Sequence, residues 1–234
     1  MLNQRSYSHF NETAASSKGG CLSIYLLPPL AVISIGALVI ALVLATPAAP
    51  ASAQIPEQTL EPSVGNLLSP ISPVFTPEVQ FWAVRIGSWA STAGLDPNLV
   101  ATVMQIESCG DPRAVSRSGA MGLFQVMPYH FTSSDDPYAP DTNALRGTDY
   151  LRRSMDAAQG NARLALAGYN GGIGVIDWAE TAWPVQTQNY AYWGSGIYSD
   201  SSSAASDSPR LQEWLAANGI SLCRQAHTRL GLIP

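Results

Sequence analysis

The sequence predicts a mainly α-helical domain, and three observations support this prediction. The chain has 234 residues, enough for one domain of ordinary size plus an appendage. Hydrophobic residues make up 46% of it and charged residues 12%, which provides a core and excludes a disordered chain. Beyond about residue 76, apolar residues repeat at helical spacing between Pro and Gly breakers, without a convincing run of alternating strand residues.

The N-terminal part of the chain contains a long apolar segment. Residues 21–54 include no charged side chain, and within them residues 22–45 are mostly apolar. A segment of that length can span a bilayer core of about 30 Å. A buried core helix is the alternative, but no partner element precedes it. We therefore interpret residues 21–53 as a transmembrane anchor or a signal peptide.

The charges on either side of this segment predict its orientation. Arg5 and Lys18 precede it, whereas the next charged residue, Glu57, is acidic. The positive-inside rule then places residues 1–20 in the cytoplasm and the rest of the chain outside. Ala51-Ser52-Ala53 also fits a signal-peptidase site, so retention in the cell membrane and secretion to the cell wall both remain open.

A proline-rich stretch separates the apolar segment from the helical part. Residues 54–76 contain four prolines and no sustained periodicity, which predicts a linker. In an extended polyproline-like state it would reach roughly 70 Å, at about 3.1 Å per residue. Residues 77–234 are then predicted to form the domain, with a C-terminal helical extension.

Local signals define the predicted helices. Thr76-Pro77-Glu78 is typical of a helix start, and Gly94 ends the periodic residues that follow. Asp96-Pro97 begins a second helix, which runs to about Ser108. Later helices are predicted from Asp141-Thr142 to about Gln159, from Asn161 to Gly171-Gly172, over Pro209–Ala217 and over Ser221–Leu230. Residues 119–128 are rich in glycine and are predicted to be a loop or short strand; we call them the glycine loop.

Glu107 is the first candidate catalytic residue. It shares one stripe of the second helix with Val100, Val103 and Met104, so its carboxyl is expected to be desolvated. It also lies in the last turn, where the helix dipole disfavours an anion. Both effects favour a carboxylic acid that stays protonated near neutral pH, as a general acid requires. The alternative is a glutamate paired with Arg113 or Arg117.

Three ordered sequence blocks relate this carboxyl to a known family. They are Glu107-Ser108 followed by GAMGLFQVMP at 119–128, then Asn143, Gly147 and Tyr150-Leu151, and finally ALAGYNGG at 165–172. Together they resemble the lytic transglycosylase family with the lysozyme-like soluble-transglycosylase (SLT) domain, over about residues 79–195. The departures are mild: Phe124 stands where Met is frequent, and Gly168 and Gly171 stand where Ala is frequent.

The resemblance implies a lysozyme-like fold and a peptidoglycan substrate. Such enzymes cleave the β-1,4 bond between N-acetylmuramic acid (MurNAc) and N-acetylglucosamine (GlcNAc) and form 1,6-anhydro-MurNAc, with one Glu, here Glu107, as acid and then base. Most glycosidases need two carboxylates. Asp111, Asp135, Asp136 or Glu180 could supply the second and support hydrolysis by a muramidase. A cell-wall-binding module without turnover is the remaining alternative.

The resemblance also implies substrate-binding residues: Ser108, Gly122, Leu123, Gln125, Tyr169 and Asn170. Ser108 could instead cap the helix end, and Tyr169 and Asn170 could be a buried tyrosine and a helix-ending asparagine. An aromatic cluster, Trp178, Trp183, Tyr190, Tyr192 and Trp193, is interpreted as core more than sugar subsite, and His130 as surface or cleft wall.

Cofactors and nucleic acid are not expected. Three cysteines and three histidines are dispersed along the chain, which excludes a zinc finger or ribbon. The net charge of −5 argues against nucleic-acid binding. Because the domain is expected outside the cytosol, Cys109 and Cys223 are predicted to form a disulfide, with two buried free thiols as the alternative.

Overall fold

The structure, a computed structural model, describes residues 69–203 and 206–232. Helices dominate these residues, and the mainly α fold class is confirmed. The α-helices are α1 Pro77–Gln80, α2 Ala83–Ala93, α3 Pro97–Ser108, α4 Pro140–Ala157, α5 Ala162–Gly171, α6 Val185–Ser201, α7 Pro209–Trp214 and α8 Ile220–Leu230. Short 3-10 helices occupy Pro128–His130, Ile173–Asp177 and Glu180–Ala182.

The domain begins earlier than the sequence indicates. Ile71, Val74 and Phe75 are buried in the core, so the last residues of the predicted linker belong to the folded domain. Their apolar side chains are too few and too irregularly spaced to form a recognisable pattern. The predicted segments 1–20 and 21–53, and the linker up to residue 68, lie outside the described residues. Within the described part of the chain, no helix has the length and apolar character needed to cross a membrane.

The first predicted helix is two helices. α1 ends after one turn, and α2 begins after Trp82, whose indole Nε1 donates a 2.9 Å hydrogen bond to the Gly110 carbonyl. This hydrogen bond fixes the bend between α1 and α2. α2 ends at Gly94, which has a left-handed φ of 65°, as the sequence predicts.

α3 is the central helix, and its start matches the prediction. The Asp96 carboxylate accepts hydrogen bonds from the backbone N–H groups of Asn98 and Leu99. Most α3 side chains are buried because the helix packs against α2, α6 and α8. The helix ends at Cys109, which has a left-handed φ of 51°.

The next two helices differ in how they begin. α4 starts at Pro140 after Ala139, which provides no side-chain cap, so the predicted Asp141 cap is wrong. Asp141 lies in the first turn and accepts a 2.9 Å hydrogen bond from Trp89 Nε1. α5 begins as predicted, with the Asn161 side chain accepting from the Leu164 N–H.

α6 is the element that the sequence analysis misses. It runs for 17 residues and packs against α3, α5 and α7. Its buried face includes Thr187, Gly194 and Ser201 beside larger apolar residues. Small and polar residues on the buried face remove the hydrophobic periodicity that would reveal a helix.

The C-terminal helices are joined more closely than predicted. α7 passes through a π-helical turn at Leu215–Gly219 directly into α8. α8 then returns to the end of α3, where Cys109 and Cys223 are disulfide-bonded with their Cα atoms 5.0 Å apart. Beside them, His227 Nδ1 lies 2.9 Å from an oxygen of the buried Glu78.

Candidate active site

Glu107 lies where two surface cavities meet. The first cavity has a volume of about 350 Å³ and lies between the glycine loop, α4 and α5. The second has a volume of about 480 Å³ and lies against α6 and α7. Glu107, Asn170 and Gln186 line both cavities. The glutamate therefore lies at the middle of a composite cleft.

The surroundings of Glu107 favour its neutral form. Although the residue keeps a partly exposed edge, burial of the carboxyl raises its pKa from 4.5 to about 8. The neighbouring Tyr190 hydroxyl stabilises the anion and lowers the pKa by a smaller amount. That hydroxyl is buried and has no hydrogen bond of regular geometry among the described residues, so Glu107 is the group it can serve. The carboxyl is thus suited to donate a proton near neutral pH.

Two parallel tyrosine rings lie beside this carboxyl. The rings of Tyr169 and Tyr190 stack with centroids 6.5 Å apart. Burial, and secondly the charge of Glu107, raise the pKa of both hydroxyls well above the usual value. Both therefore remain neutral hydrogen-bond donors. Tyr190 lines the second cavity. The sequence places it only in an aromatic cluster, because no sequence pattern indicates α6.

Asn143 holds the glycine loop in place. Its Oδ1 accepts a 2.8 Å hydrogen bond from the Phe124 N–H, and its Nδ2 donates to the carbonyls of Met121 and Pro137. Gly122 has a φ of 75°, and a Cβ there would overlap the Asn143 amide. Gly122 thus allows the close approach of loop and α4.

Ser108 and Leu123 support the loop and do not face the cleft. Both are fully buried, and Ser108 Oγ donates a 2.7 Å hydrogen bond to the Leu123 carbonyl while accepting one from the Gly110 N–H. The alternative that Ser108 caps the helix end fits this geometry, and direct substrate contact by Ser108 or Leu123 does not. The buried Gly122 likewise acts through the loop's shape.

Gln125, Tyr169 and Asn170 do line the first cavity. Gln125 has a φ of 46°, and its Nε2 donates to the carbonyls of Ala114 and Gly122. The Tyr169 hydroxyl donates to the Phe124 carbonyl, and Asn170 Oδ1 accepts a 3.0 Å hydrogen bond from Thr187. These three side chains are fixed by the fold around Glu107.

An aromatic row continues from the site toward solvent. Starting at Tyr169, ring centroids follow at 5.6 Å to Tyr150, 5.0 Å to His130 and 4.5 Å to Tyr129, which is 74% exposed. These four residues line the first cavity, so the interpretation of His130 as cleft wall is confirmed. Burial, then the charge of Arg153, lower the pKa of His130, so its ring is neutral near pH 7.

The other candidate carboxylates have structural partners. Asp111 is buried and accepts a hydrogen bond from Gln225, and Asp136 accepts one from the Tyr138 N–H. Asp135 pairs with Arg146, and Glu180 pairs with Arg163. Among the described residues, Glu107 forms no ion pair with an arginine and is the one carboxylate that lines the two cavities.

The rest of the aromatic cluster divides between core and surface. Trp183 is buried and donates to the Val175 carbonyl, whereas Trp178 and Tyr192 are exposed and line neither cavity. Trp193 lines the second cavity.

Metal-ligand side chains group near the end of α3. Glu78, Cys109 and Cys223 lie together, but the two sulfurs are bonded to each other and are not free thiolates.

Glu107 and the residues that line the first cavity lie within a segment that matches a known family. Residues 85–190 match the family model described as the transglycosylase SLT domain. Over these residues the chain is similar to the SLT domain of lytic transglycosylases.

Known proteins share this region. A transglycosylase of Enterobacteria phage PRD1 is 40% identical over 99 residues, which cover 42% of this chain and 37% of the relative. A membrane-bound lytic murein transglycosylase C of Photorhabdus laumondii is 32% identical over 105 residues, 36% of this chain and 29% of the relative. The matched part of the chain thus spans 37% of the length of the first relative and 29% of the second.

Among solved structures, an inactive mutant of the lytic transglycosylase Slt from Pseudomonas aeruginosa aligns with 65% of this chain and 25% of its own. The TM-score of this alignment is 0.38 and the sequence identity is 21%.

Proposed function

We propose that the domain is a peptidoglycan lytic transglycosylase that cleaves the MurNAc–GlcNAc β-1,4 bond and forms 1,6-anhydro-MurNAc. One observation carries the proposal: Glu107 is a buried acid with a pKa of about 8, and the described residues around the cleft supply no second carboxylate. Hydrolysing glycosidases of the usual kind need two. A reaction in which the substrate provides its own nucleophile needs one.

The proposed reaction uses Glu107 twice. First, its carboxylic acid donates the proton to the glycosidic oxygen as the bond from that oxygen to C1 of MurNAc breaks. The resulting carboxylate then accepts the proton of the MurNAc C6 hydroxyl, whose oxygen forms the new bond to C1. No water is consumed, and Glu107 ends protonated. The attack is intramolecular, so a cleft that holds the sugar also provides an entropic advantage.

Neighbouring residues have roles that follow from their positions. Tyr190 is near enough to Glu107 to stabilise the carboxylate between the two proton transfers. Gln125 and Asn170 offer amide groups to sugar hydroxyls and acetamido groups. Ser108, Gly122 and Leu123 hold the glycine loop against α3 and α4.

Product analysis tests the proposal. Purified peptidoglycan digested with the protein should give muropeptides that borohydride leaves unchanged, each lighter by one water than its muramidase counterpart. Reducible ends as the main product would support a hydrolytic muramidase. Tight binding to sacculi without soluble product would support a wall-binding module. Glu180→Gln serves as a folded control because Glu180 lies outside both cavities and pairs with Arg163.

We further propose that the domain acts outside the cytoplasmic membrane, anchored by residues 21–53 or released after Ala53. The charge distribution supports this location, as does the similarity to a membrane-bound lytic murein transglycosylase. Fractionation and N-terminal sequencing of the exported protein test it. A mature chain beginning at Gln54 would indicate cleavage, and recovery of the full-length protein in the cytosol would refute the location.

A further inference from the structure

The C-terminal helix α8 contacts the segment that connects α3 to the glycine loop. Gln225 Nε2 donates a 2.6 Å hydrogen bond to Asp111 Oδ2, and Arg229 Nε lies 3.8 Å from the same oxygen. The Arg229 guanidinium also donates a 3.3 Å hydrogen bond to the Arg113 carbonyl. Two side chains of α8 thus hold a carboxylate and a carbonyl that lie shortly after Glu107 in the chain.

The Asp111 side chain links α8 to the turn at residues 111–114. It is only 1% exposed, and a buried carboxylate is costly unless hydrogen bonds and opposite charges compensate it. Its Oδ1 accepts a 2.9 Å hydrogen bond from the Arg113 N–H, and its backbone carbonyl accepts one of 3.3 Å from the Ala114 N–H. One carboxylate oxygen therefore faces α8 and the other holds the turn.

The turn ends at Ala114, whose carbonyl fixes the glycine loop. That carbonyl accepts a 2.9 Å hydrogen bond from the Gly122 N–H and one of 3.2 Å from Gln125 Nε2. Nε2 also donates to the Gly122 carbonyl, so both N–H groups of the Gln125 amide are used within the fold. The amide oxygen of Gln125 is then the acceptor that this side chain offers to the first cavity, which it lines.

The two ends of this connection differ in their place in the chain. Asp111 lies within the residues 85–190 that match the SLT family model, whereas Gln225 and Arg229 lie beyond them. The disulfide at Cys223 fastens α8 to the end of α3 two residues before Gln225. The matched segment therefore supplies the carboxylate, and α8 supplies its side-chain partners.

We propose that Asp111, Gln225 and Arg229 are positioning residues for the reaction in the cleft: α8 holds the Asp111 carboxylate, and that carboxylate holds the turn that orients Gln125. The effect is exerted at Gln125, so none of the three touches the substrate. A displacement of about 1 Å in a site can lower a rate about 10²-fold. This inference rests on the proposed function, in which Gln125 offers its amide to the sugar.

Gln225→Ala tests the connection at an exposed position of α8, where the core stays intact. Gln212→Ala is the matched control, because Gln212 is an exposed glutamine of α7 that lines neither cavity. Circular dichroism and melting curves verify that both variants are folded at the assay temperature. We expect Gln225→Ala to lower kcat/KM for muropeptide release about tenfold, and Gln212→Ala to stay close to wild type.

A double-mutant cycle separates positioning from a general loss of stability. Gln125→Gly removes the amide, and glycine accepts the φ of 46° at this position without strain. If Gln225 acts through Gln125, Gln225→Ala should have little further effect on kcat/KM in that background. An equal loss in both backgrounds would overturn the inference, as would equal kcat/KM values for Gln225→Ala and Gln212→Ala.

Exchanging the two polar groups provides a rescue. Gln225→Glu alone places a second carboxylate against that of Asp111 and should also lower kcat/KM. Adding Asp111→Asn restores a donor and an acceptor in reversed positions and keeps an oxygen for the Arg113 N–H, so activity should recover. A double variant no more active than Gln225→Glu would contradict the proposed contact.

The readout keeps this inference separate from the proposed function. Rates are measured as total soluble muropeptide, whatever the sugar end. Reducible ends from the wild type would refute the transglycosylase proposal and leave the double-mutant cycle valid. If the wild type releases no product, the same cycle is applied to the Kd for soluble glycan strands: Gln225→Ala should weaken binding only where the Gln125 amide is present, and equal weakening in both backgrounds would overturn the inference.

Discussion

The Tyr169 hydroxyl donates a 2.8 Å hydrogen bond to the Phe124 carbonyl and thereby joins α5 to the glycine loop. The same loop is held from α4 by Asn143 and from α3 by Ser108. All three sequence blocks thus meet at the glycine loop. Their polar side chains fix one another in position and so maintain the shape of the cleft.

Tyr169→Phe removes this link and leaves the Phe124 carbonyl without its partner. We expect a loss of about 1–3 kcal/mol in the free energy of unfolding, the usual effect of an unpaired buried polar group. Turnover should fall as well, since the loop carries Gln125 into the cleft. Urea unfolding and product assays measure both. Tyr138→Phe is the control because Tyr138 lines neither cavity, and an equal loss there would contradict the assignment.

Glu107→Gln should abolish turnover while preserving the fold and glycan binding. Glutamine keeps the shape of the side chain but cannot donate or accept the reacting proton. We expect a rate loss of at least about 10²–10⁴, the usual effect of removing one acid–base catalyst. Glu180→Gln should stay close to wild type. A residual rate within about tenfold of wild type would eliminate Glu107 as the catalytic acid.

The same substitution should change the pH dependence of stability. The pKa of Glu107 is raised in the folded state to about 8, above its ordinary value of 4.5. Between these pH values the unfolded chain releases a proton that the folded protein retains, so the wild type loses stability as pH rises. Glu107→Gln should therefore melt higher than the wild type at pH 8, with a smaller difference at pH 4. A difference independent of pH would show that the carboxyl is not buried in neutral form.

Activity should depend on the same proton. The first step needs the neutral acid, so kcat is expected to be steady below the Glu107 pKa of about 8 and to fall as pH rises through it. Initial rates between pH 5 and 10, with melting curves at each pH, separate this effect from unfolding. An increase in kcat across that interval would contradict the role of the neutral acid.

Gly147→Ala should destabilise the junction of α4 with the glycine loop. A Cβ at Gly147 would overlap the Phe124 Cβ and approach the Tyr169 hydroxyl. Overpacking of this kind costs typically about 1–3 kcal/mol. Gly174→Ala is a matched control, because its added Cβ would meet no atom within 4 Å. Similar melting points for the two variants would show that the contact relaxes without cost.

Reduction should lower the melting temperature of the exported protein. The Cys109–Cys223 bond closes a loop between residues separated by 114 positions. The chain-entropy model gives a stabilisation of about 4–5 kcal/mol for a loop of that size. The double Cys109→Ser, Cys223→Ser variant should melt lower and be insensitive to reductant. If reductant leaves the wild type unchanged, the bond does not form in the exported protein.

Helix starts depend on local signals in the sequence, whereas the burial of α6 depends on tertiary packing. The starts of α3 and α5 follow from Asp96 and Asn161, because a capping side chain acts within its own turn. The sequence does not predict α6, because Thr187, Gly194 and Ser201 occupy its buried face and only packing against neighbouring helices explains their burial.

The same distinction applies to the site. The stripe and the motif together predict Glu107 as the candidate acid. The roles of Ser108 and Leu123 could not be predicted, because the direction of each side chain depends on how α3 meets the glycine loop. Tyr190 belongs to none of the motifs. It lies on α6, the helix that the sequence does not predict.

Trp193 and Trp214 make the second cavity observable by intrinsic tryptophan fluorescence. Indole emission responds to solvent exposure and nearby polar groups, and both rings line the cavity beside Glu107. The other four tryptophans, Trp82, Trp89, Trp178 and Trp183, line neither cavity. Unlabelled glycan can therefore be titrated into Glu107→Gln by intrinsic fluorescence, and occupancy of this side of the cleft can be read without attaching a dye.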